Sequence, residues 1–453
     1  MIPAHQVVER ALAAAVADET IVLVTDTATA ALRWAGNTMT TNGVSTSRQL
    51  TVISIVRDGR VARVGSLSTA QVDPDDIPAL VAASAAAARG APPSRDAFPL
   101  LGAGTTPPDW ETPAPGTGVD AFGSVAADLA RGFTGPDTLY GFAHHVVETT
   151  WLATSTGVRR RYTQPTGSVE INAKRDGGSA WAGVSTPWFV DVPTEGMLAE
   201  LSMRLDWARR RVELPAGRYE TIMPPSTVAD MMIYLGWTMG GRGAQEGRTA
   251  LAAPGGGTRV GERLGDLGLT LYSDPDAPGL ECAPFVAAAS SSDTTSVFDN
   301  GLDVARVDWI RDGRINALAY PRAAAAEFDA PVAVGASNLL MTGGDGDLAG
   351  MVAATERGLL LTTLWYIREV DPTTLLLTGL TRDGVYLISD GEVTAAVNNF
   401  RFNESPLDLL RRATEAGRTE TTLPREWGDW FNRAAMPSLR IPDFHMSSVS
   451  QAQ

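Results

Sequence analysis

Residues 217–247 read GRYETIMPPSTVADMMIYLGWTMGGRGAQEG, and the rest of the chain is organised around them. Residues 217–223 carry β-forming side chains and stop at Pro224-Pro225, which cannot continue a central strand. Ser226 stands where a helix cap is expected, residues 227–239 form the helix body, and Gly240-Gly241 end it. Almost every face of that helix is apolar: Val228, Met231, Met232, Ile233, Leu235 and Trp237. Such a helix belongs in a core. A metal-binding peptidase helix needs two imidazoles on one side and a carboxylate beside the first, and this one has neither His nor Glu. The missing ligands point to a partner of a catalyst more than to a catalyst.

Composition sets the outer bounds. The 453 residues allow two or three domains with at least one sizeable core. A net charge of −15 leaves no basic field to hold a phosphate backbone, so nucleic acid is not expected as a direct ligand. The single cysteine, Cys282, has no internal disulfide partner, which fits a reducing compartment. The first 19 residues lack a basic n-region and an unbroken apolar run, and read as an amphipathic helix. No uncharged apolar window is long enough to span a membrane, so a soluble cytoplasmic chain is expected.

Strands are expected at 20–27 and 32–40, followed by a hairpin in LTVISIVRDGRVARVGS, where Asp58-Gly59 supplies the positive φ angles of a tight turn. Asp176-Gly177, Asp312-Gly313 and Asp390-Gly391 repeat the device between other alternating runs, and together they predict much antiparallel sheet. Residues 74–89 read as an Ala-rich helix capped by Asp73, and the Pro-rich run 91–116 as an extended connector. A helix is expected near 119–133, strands at 139–150 and 151–162, and a long helix over 193–212 with Arg209-Arg210-Arg211 near its C-terminus. Residues 240–265 hold nine glycines and read as a long mobile loop. Helices are expected at 347–357 and from Ser405-Pro406 with Asp408 as capping-box acid, and residues 437–451 as a closing strand. The fold class is therefore α+β: an N-terminal α/β domain with antiparallel hairpins, residues 1–214, then a strand-rich C-terminal domain, residues 215–453, carrying the helix 227–239.

The inventory of reactive groups is thin. His144 and His145 are adjacent in a strand, so they face opposite ways and do not readily share an ion. Cys282 has no neighbouring base. The glycines of 343–347 lack the Lys of a phosphate loop and read as a turn before an Asp-capped helix. Arg159-Arg160-Arg161 reads as a solvated strand face, and Asp73, Asp75 and Asp76 as helix-start acids. No catalytic residue, cofactor-binding residue or metal ligand is assigned.

Taken together, LRWAGNTMTTNGV, DGRVARVGS, STGVRRRY, VELPAGRYETIMPPSTVADMM, SVFDNGL, VDWIRDGRINALAY, GLLLTTLWYIREVDPTTLLLTGLTRDGVYLISDGEV and MPSLRIPDFHMSSVSQ resemble the TldD/PmbA family, within it the TldE (PmbA) branch, over almost the whole chain. The resemblance implies that a TldD member carries an HExxxH zinc motif on the helix after the GxY strand and a cysteine ligand near its C-terminus. Ile233, Tyr234 and Thr238 stand at the degenerate metal positions here, and residues 425–437 contain no cysteine. It further implies a heterodimer with a TldD-like zinc metallopeptidase subunit, zinc in that partner and none in this chain, and unfolded or linear peptides as substrate. The expectation is a non-catalytic subunit of such a peptidase. A stand-alone peptide-binding homo-oligomer is the alternative, and a hydrolase using Cys282 or the His144-His145 pair a third.

Overall fold

The computed structural model describes residues 2–190 and 192–450. Among them, six strands form one antiparallel sheet and fourteen strands a second, with helices packed on both. This is the α+β class expected.

The first sheet contains β1 (Glu19–Ala35), β2 (Met39–Asp58), β3 (Val61–Thr69), β4 (Thr138–Thr154), β5 (Arg159–Arg175) and β6 (Gly178–Ser185), in the spatial order β3-β2-β1-β4-β5-β6. The strands are longer than expected. β1 runs unbroken through 27–32 because Ala28, Ala30, Leu32 and Trp34 keep the inward alternation; the chain reverses at Gly36 and Asn37, both at φ near +60°. β4 likewise runs on through Trp151. Three Asp-Gly pairs occupy the two turn positions between paired strands with both residues at positive φ: Asp176 49° and Gly177 74°, Asp312 48° and Gly313 72°, Asp390 52° and Gly391 80°. At the first hairpin Asp58 instead pairs with Val61, so Gly59 and Arg60 make the turn, with Gly59 at φ +60° in the first central position.

Alternation along β1 divides the cores. Val22 and Val24 pack beneath α1 (Ala4–Ala13) and α2 (Ile77–Gly90) with Trp110 and Trp151. On the same face, Ala30, Leu32 and Trp34 pack beneath α3 (Gly123–Gly132) and α4 (Thr194–Trp207). Ile21 and Leu23 point the other way, against Phe285, Val297 and Phe298 of the second half. The Pro-rich connector crosses between these faces: Phe98 and Leu100 join the second core, while Trp110 joins the first and accepts a 2.8 Å bond from the Trp151 indole N–H at its carbonyl.

Several boundaries move. α2 begins at Ile77 because Asp73 turns its carboxylate to the Asp75 N–H, an Asx turn that keeps residues 74–76 outside the helix. α4 ends at Trp207, and Arg211 enters β7 (Arg211–Val212) beside the strand Glu392–Val397. Asp347 does cap the helix Leu348–Ala353 through the Gly350 N–H, but the helix Pro406–Arg412 has no capping box: the Ser405 hydroxyl bonds the Thr374 carbonyl and Asp408 pairs with Arg411. The closing strand is Ala434–Val449; the expected extension to residue 451 lies outside the described residues.

The second sheet is centred on β8 (Gly217–Met223), antiparallel to Ala434–Val449 on one side and parallel to Arg357–Leu361 on the other. From it the chain passes into α5 (Pro225–Trp237), which packs back over Ala434–Val449. Ser226 is not the cap. Pro224 holds that position with extended ψ of 166°, Pro225 begins the helix, and the Ser226 hydroxyl points to the Thr362 carbonyl at 3.4 Å. Residues 240–265 are built and not open: α6 (Gly241–Gln245) follows at once, Arg242 is buried against Glu327 and the Phe328 ring, and Leu251 and Leu264 join the core. Gly241 has to be glycine, since a Cβ there would lie 2.2 Å from the Tyr320 ring.

α2 sits so close to β2 and β3 that a Cβ on Gly65 would fall 2.3 Å from the Ser84 carbonyl oxygen, while the Ser84 hydroxyl bonds the carbonyls of Val52 and Gly65. Gly65→Ala therefore forces helix and sheet apart. The expected loss is about 1–3 kcal/mol, read as a lower urea midpoint of the N-terminal sheet, whereas Ala in an uncrowded strand is favourable over Gly.

Candidate functional site

Of the three residues that the resemblance sets at metal positions, Ile233 and Tyr234 lie on the last turns of α5 and Thr238 at its C-cap. Ile233 is 1% exposed and packs in the large C-terminal core with Met231, Met232 and Leu235. Burying such a side chain contributes roughly 1.5–3 kcal/mol, so its role is packing. Tyr234 is half-buried, its ring 6.0 Å from Trp237 and 5.8 Å from Trp427. Thr238 ends the helix: its hydroxyl donates to the Leu235 carbonyl at 2.8 Å. None of the three presents a donor atom to a shared point. A zinc ion needs imidazole, thiolate or carboxylate ligands, so this set does not fit one. Among the described residues, no group of three or more His, Cys, Asp or Glu side chains gathers so as to hold a metal ion.

The segment after Leu423 folds onto the same helix, through a residue the sequence reading passed over. Asp230 lies on α5 between the apolar positions and is 0% exposed. Its Oδ1 accepts the Glu426 N–H at 3.0 Å, and its main-chain carbonyl accepts the Trp427 indole N–H at 2.8 Å. Oδ2 is buried with no partner among the described residues. Burial drives this carboxyl well above the usual carboxylate range, against the pull of the Glu426 N–H. An acid in the middle of an otherwise apolar helix was the available signal, because a buried Asp always requires a partner. The Glu426 carboxylate in turn accepts the N–H groups of Tyr366 and Ile367 at 2.8 and 3.0 Å, with Tyr366 at φ +55°. Helix, turn and the neighbouring strand Leu364–Asp371 are thus clasped together.

Aromatic side chains crown this clasp. Trp237 and Trp427 meet edge to face at 4.9 Å, Trp237 is 45% exposed and Trp430 81%. Beside them lies a cavity of about 190 Å³ lined by Ile233, Gly236, Trp237, Trp309, Leu339 and Phe431. Its polar members are occupied: the Asn338 amide bonds the carbonyls of Asp274 and Leu280, and Ser273 accepts the Ala336 N–H. The arrangement offers apolar packing, and Asp230 is sealed away from any ligand.

The other candidates resolve into structural roles. His144 reaches solvent at one side, while His145 on the opposite face bonds Thr117 and the Pro187 carbonyl, so the pair shares nothing; partial desolvation lowers the pKa of each. Burial pushes the Cys282 thiol up to about 11, the wrong direction for a nucleophile. Gly343 and Gly344 pack against the backbone of residues 416–417 and lead to the Asp347 cap. The three arginines are not a solvated face: Arg159 grips Glu9 with both arms, Arg160 reaches Asp303, and buried Arg161 pairs with Asp109 over the Trp151 ring.

A family description of the PmbA/TldA metallopeptidase C-terminal domain matches residues 216–448. The chain belongs to the TldD/PmbA family. Its fold is that of TldE from Thermococcus kodakarensis, with a TM-score of 0.78 at 17% identity over 97% of this chain and 98% of that one. A protein from Bacteroides thetaiotaomicron described as a candidate modulator of DNA gyrase shares the fold at TM-score 0.75 and 16% identity, over 98% of both chains. One from Thermotoga maritima, described likewise, does so at 0.71 and 13%, over 94% and 95%. No protein of curated function matches the sequence.

Replacing Asp230 by Asn keeps the acceptor for the Glu426 N–H and removes the titration. A carboxyl whose folded pKa is raised contributes fully below its unfolded pKa, near 4, and loses that contribution as pH rises toward the folded value. Asp230→Asn is therefore expected to gain in unfolding free energy on the parent as pH rises above about 4 toward the folded pKa, by up to about 1.4 kcal/mol per pH unit, read from urea unfolding. Asp230→Ala, which orphans the Glu426 N–H, is expected to lose about 1–3 kcal/mol at pH 5. A difference between parent and Asn variant that stays flat with pH would refute the raised pKa.

Proposed function

We propose that this chain is the non-catalytic, TldE-like subunit of a heterodimeric zinc metallopeptidase acting on unfolded or linear peptides, with the zinc held by a TldD-like partner. The observation that carries the reading is α5: where the resemblance places zinc ligands, Ile233 fills the core, Tyr234 packs at a tilt against Trp237 and Trp427, and Thr238 closes the helix on its own backbone. The buried thiol of Cys282 and the separated histidines supply no substitute chemistry. Trp237, exposed at the wall of an apolar cavity, and the exposed Trp430 support contact with another polypeptide, since tryptophan is enriched at interface centres.

Among the described residues no helix is long and apolar enough to cross a membrane, and the net charge of −15 argues against nucleic acid as ligand. A cytoplasmic, soluble complex is the setting proposed. A peptide-binding homo-oligomer would use the same surfaces, and the test separates the two.

Purified alone, the chain is expected to carry no stoichiometric zinc by elemental analysis and to leave a labelled unfolded peptide intact. Co-purified with an HExxxH-bearing subunit, it is expected to form a one-to-one complex with EDTA-sensitive cleavage that needs both chains. Cleavage by this chain alone, or full activity of the partner without it, would overturn the assignment.

A further inference from the structure

We propose that a cavity at the junction of the two sheets is a binding site for a free amino acid, held as its zwitterion. The cavity measures about 300 Å³, at the lower end of the range of small-molecule sites. Its walls come from Gly177 and Ser179 at the start of β6, the end of α4, β7 with Glu213 just beyond it, and the strand Val385–Ser389 with Asp383 just before it.

Tyr386 is the first sign of an occupant. It lines the cavity and is 1% exposed, its ring meets Trp207 edge to face at 5.2 Å, and its hydroxyl has no hydrogen-bond partner among the described residues. Burial pushes this phenol up to about 12, so it keeps its proton at neutral pH and stands as a donor without an acceptor. Asp383 shares the wall. One oxygen of its carboxylate accepts the Ser179 hydroxyl and the other accepts Arg425 at 2.7 Å, which leaves lone pairs for a further donor. Burial pushes this carboxyl up, but the charge of Arg425 and the Ser179 bond outweigh it, and the group sits below the usual carboxylate range.

The mouth carries a cation and an anion side by side. Arg211 and Glu213 both line the cavity, both are exposed, and among the described residues neither takes part in an ion pair. One arm of Arg211 donates to the Gly177 carbonyl, which holds the guanidinium over the turn. Charges nearby are not left open: Arg209 pairs with Asp206, and Arg175 with Asp137 and Asp206.

These four groups set the occupant's chemistry. A simple carboxylate would suit Arg211 and the Tyr386 hydroxyl but meet the like charges of Asp383 and Glu213. A simple amine would suit the two carboxylates but meet the charge of Arg211 and leave the phenol proton without an acceptor. A molecule with both an ammonium and a carboxylate on one carbon satisfies both sets, the carboxylate toward Arg211 and Tyr386, the ammonium toward Asp383 and Glu213. The volume suits one residue and not an extended peptide.

The test is a ligand-observed NMR titration of the purified full chain with L-alanine, with N-acetyl-L-alanine, which lacks the ammonium, and with L-alaninamide, which lacks the carboxylate. L-alanine is expected to bind with a dissociation constant of about 1 mM and each of the others about tenfold more weakly. Tyr386→Phe and Arg211→Gln are expected to abolish the preference for L-alanine over L-alaninamide, and Glu213→Gln the preference over N-acetyl-L-alanine. Tyr386→Phe removes one oxygen and leaves the ring packed on Trp207, so without ligand it is expected to melt no lower than the parent, which separates lost binding from lost folding. No binding of L-alanine at about ten times that concentration, equal binding of the three compounds, or preferences that survive the substitutions would each overturn the proposal. The measurement needs neither zinc nor a second subunit, so it stands or falls separately from the peptidase assignment.

Discussion

A carboxyl group cannot be sealed inside an apolar helix without something to hold, and Asp230 holds the turn after Leu423. From that contact the arrangement of the C-terminal domain follows outward. The Glu426 N–H committed to Asp230 fixes where the Glu426 carboxylate lies, and the carboxylate stabilises Tyr366 in its left-handed conformation through two N–H bonds. The same turn carries Arg425 between the rings of Trp181 and Trp365, 5.4 Å from each, and onto Asp383 at 2.7 Å. Because Trp181 belongs to β6, the clasp that begins on α5 ends on the first sheet. A buried, hydrogen-bonded network of this kind is cooperative: each member is satisfied only while the others stay in place.

Arginine does most of the joining elsewhere too. Buried Arg433 crosses from the last strand's start to the Pro165 carbonyl and Thr166 hydroxyl of β5, and its burial lowers its pKa. Arg160 ties β5 to Asp303, and Arg322 pairs with buried Asp299 while stacking on Phe98 of the connector. A guanidinium suits this work because it offers several fixed donors and still packs flat on a ring. The consequence for function is electrostatic. Cations spent inside the fold contribute no outward basic field, in keeping with the acidic balance of the whole chain.

Local chemistry made part of this legible from sequence. The Asp-Gly turns follow from backbone sterics at two residues, so three of four fell where expected; the fourth slipped by one position because Gly59 alone satisfied the turn and Asp58 was free to pair. The burial of α5 followed from its unbroken apolar faces. What depended on distant partners was hidden. Ser226 looks like a cap until the Thr362 carbonyl is seen beside it, and the glycines of 240–265 look like slack until the Tyr320 ring is found pressed on Gly241. Strand lengths were underread because Thr and Ala carry little amphipathic contrast over 27–32. Asp230 was hidden for a different reason: metal ligands recur at a fixed spacing, whereas a single carboxyl serving backbone donors has none.

That distinction bears on what the helix position means. In the metal-binding arrangement implied by the resemblance, an ion bridges this helix to the C-terminal segment. Here the same two segments are bridged by an acid, an indole N–H and the edge-to-face contact of Trp237 with Trp427. Each hydrogen bond contributes about 1 kcal/mol and the ring pair about as much again. Distributed over packed groups, these terms hold the helix and the turn together. Imidazoles placed at 233 and 238 would therefore not make a metal centre by themselves. A side chain at 233 points into the core, and the turn opposite it is already committed to Asp230.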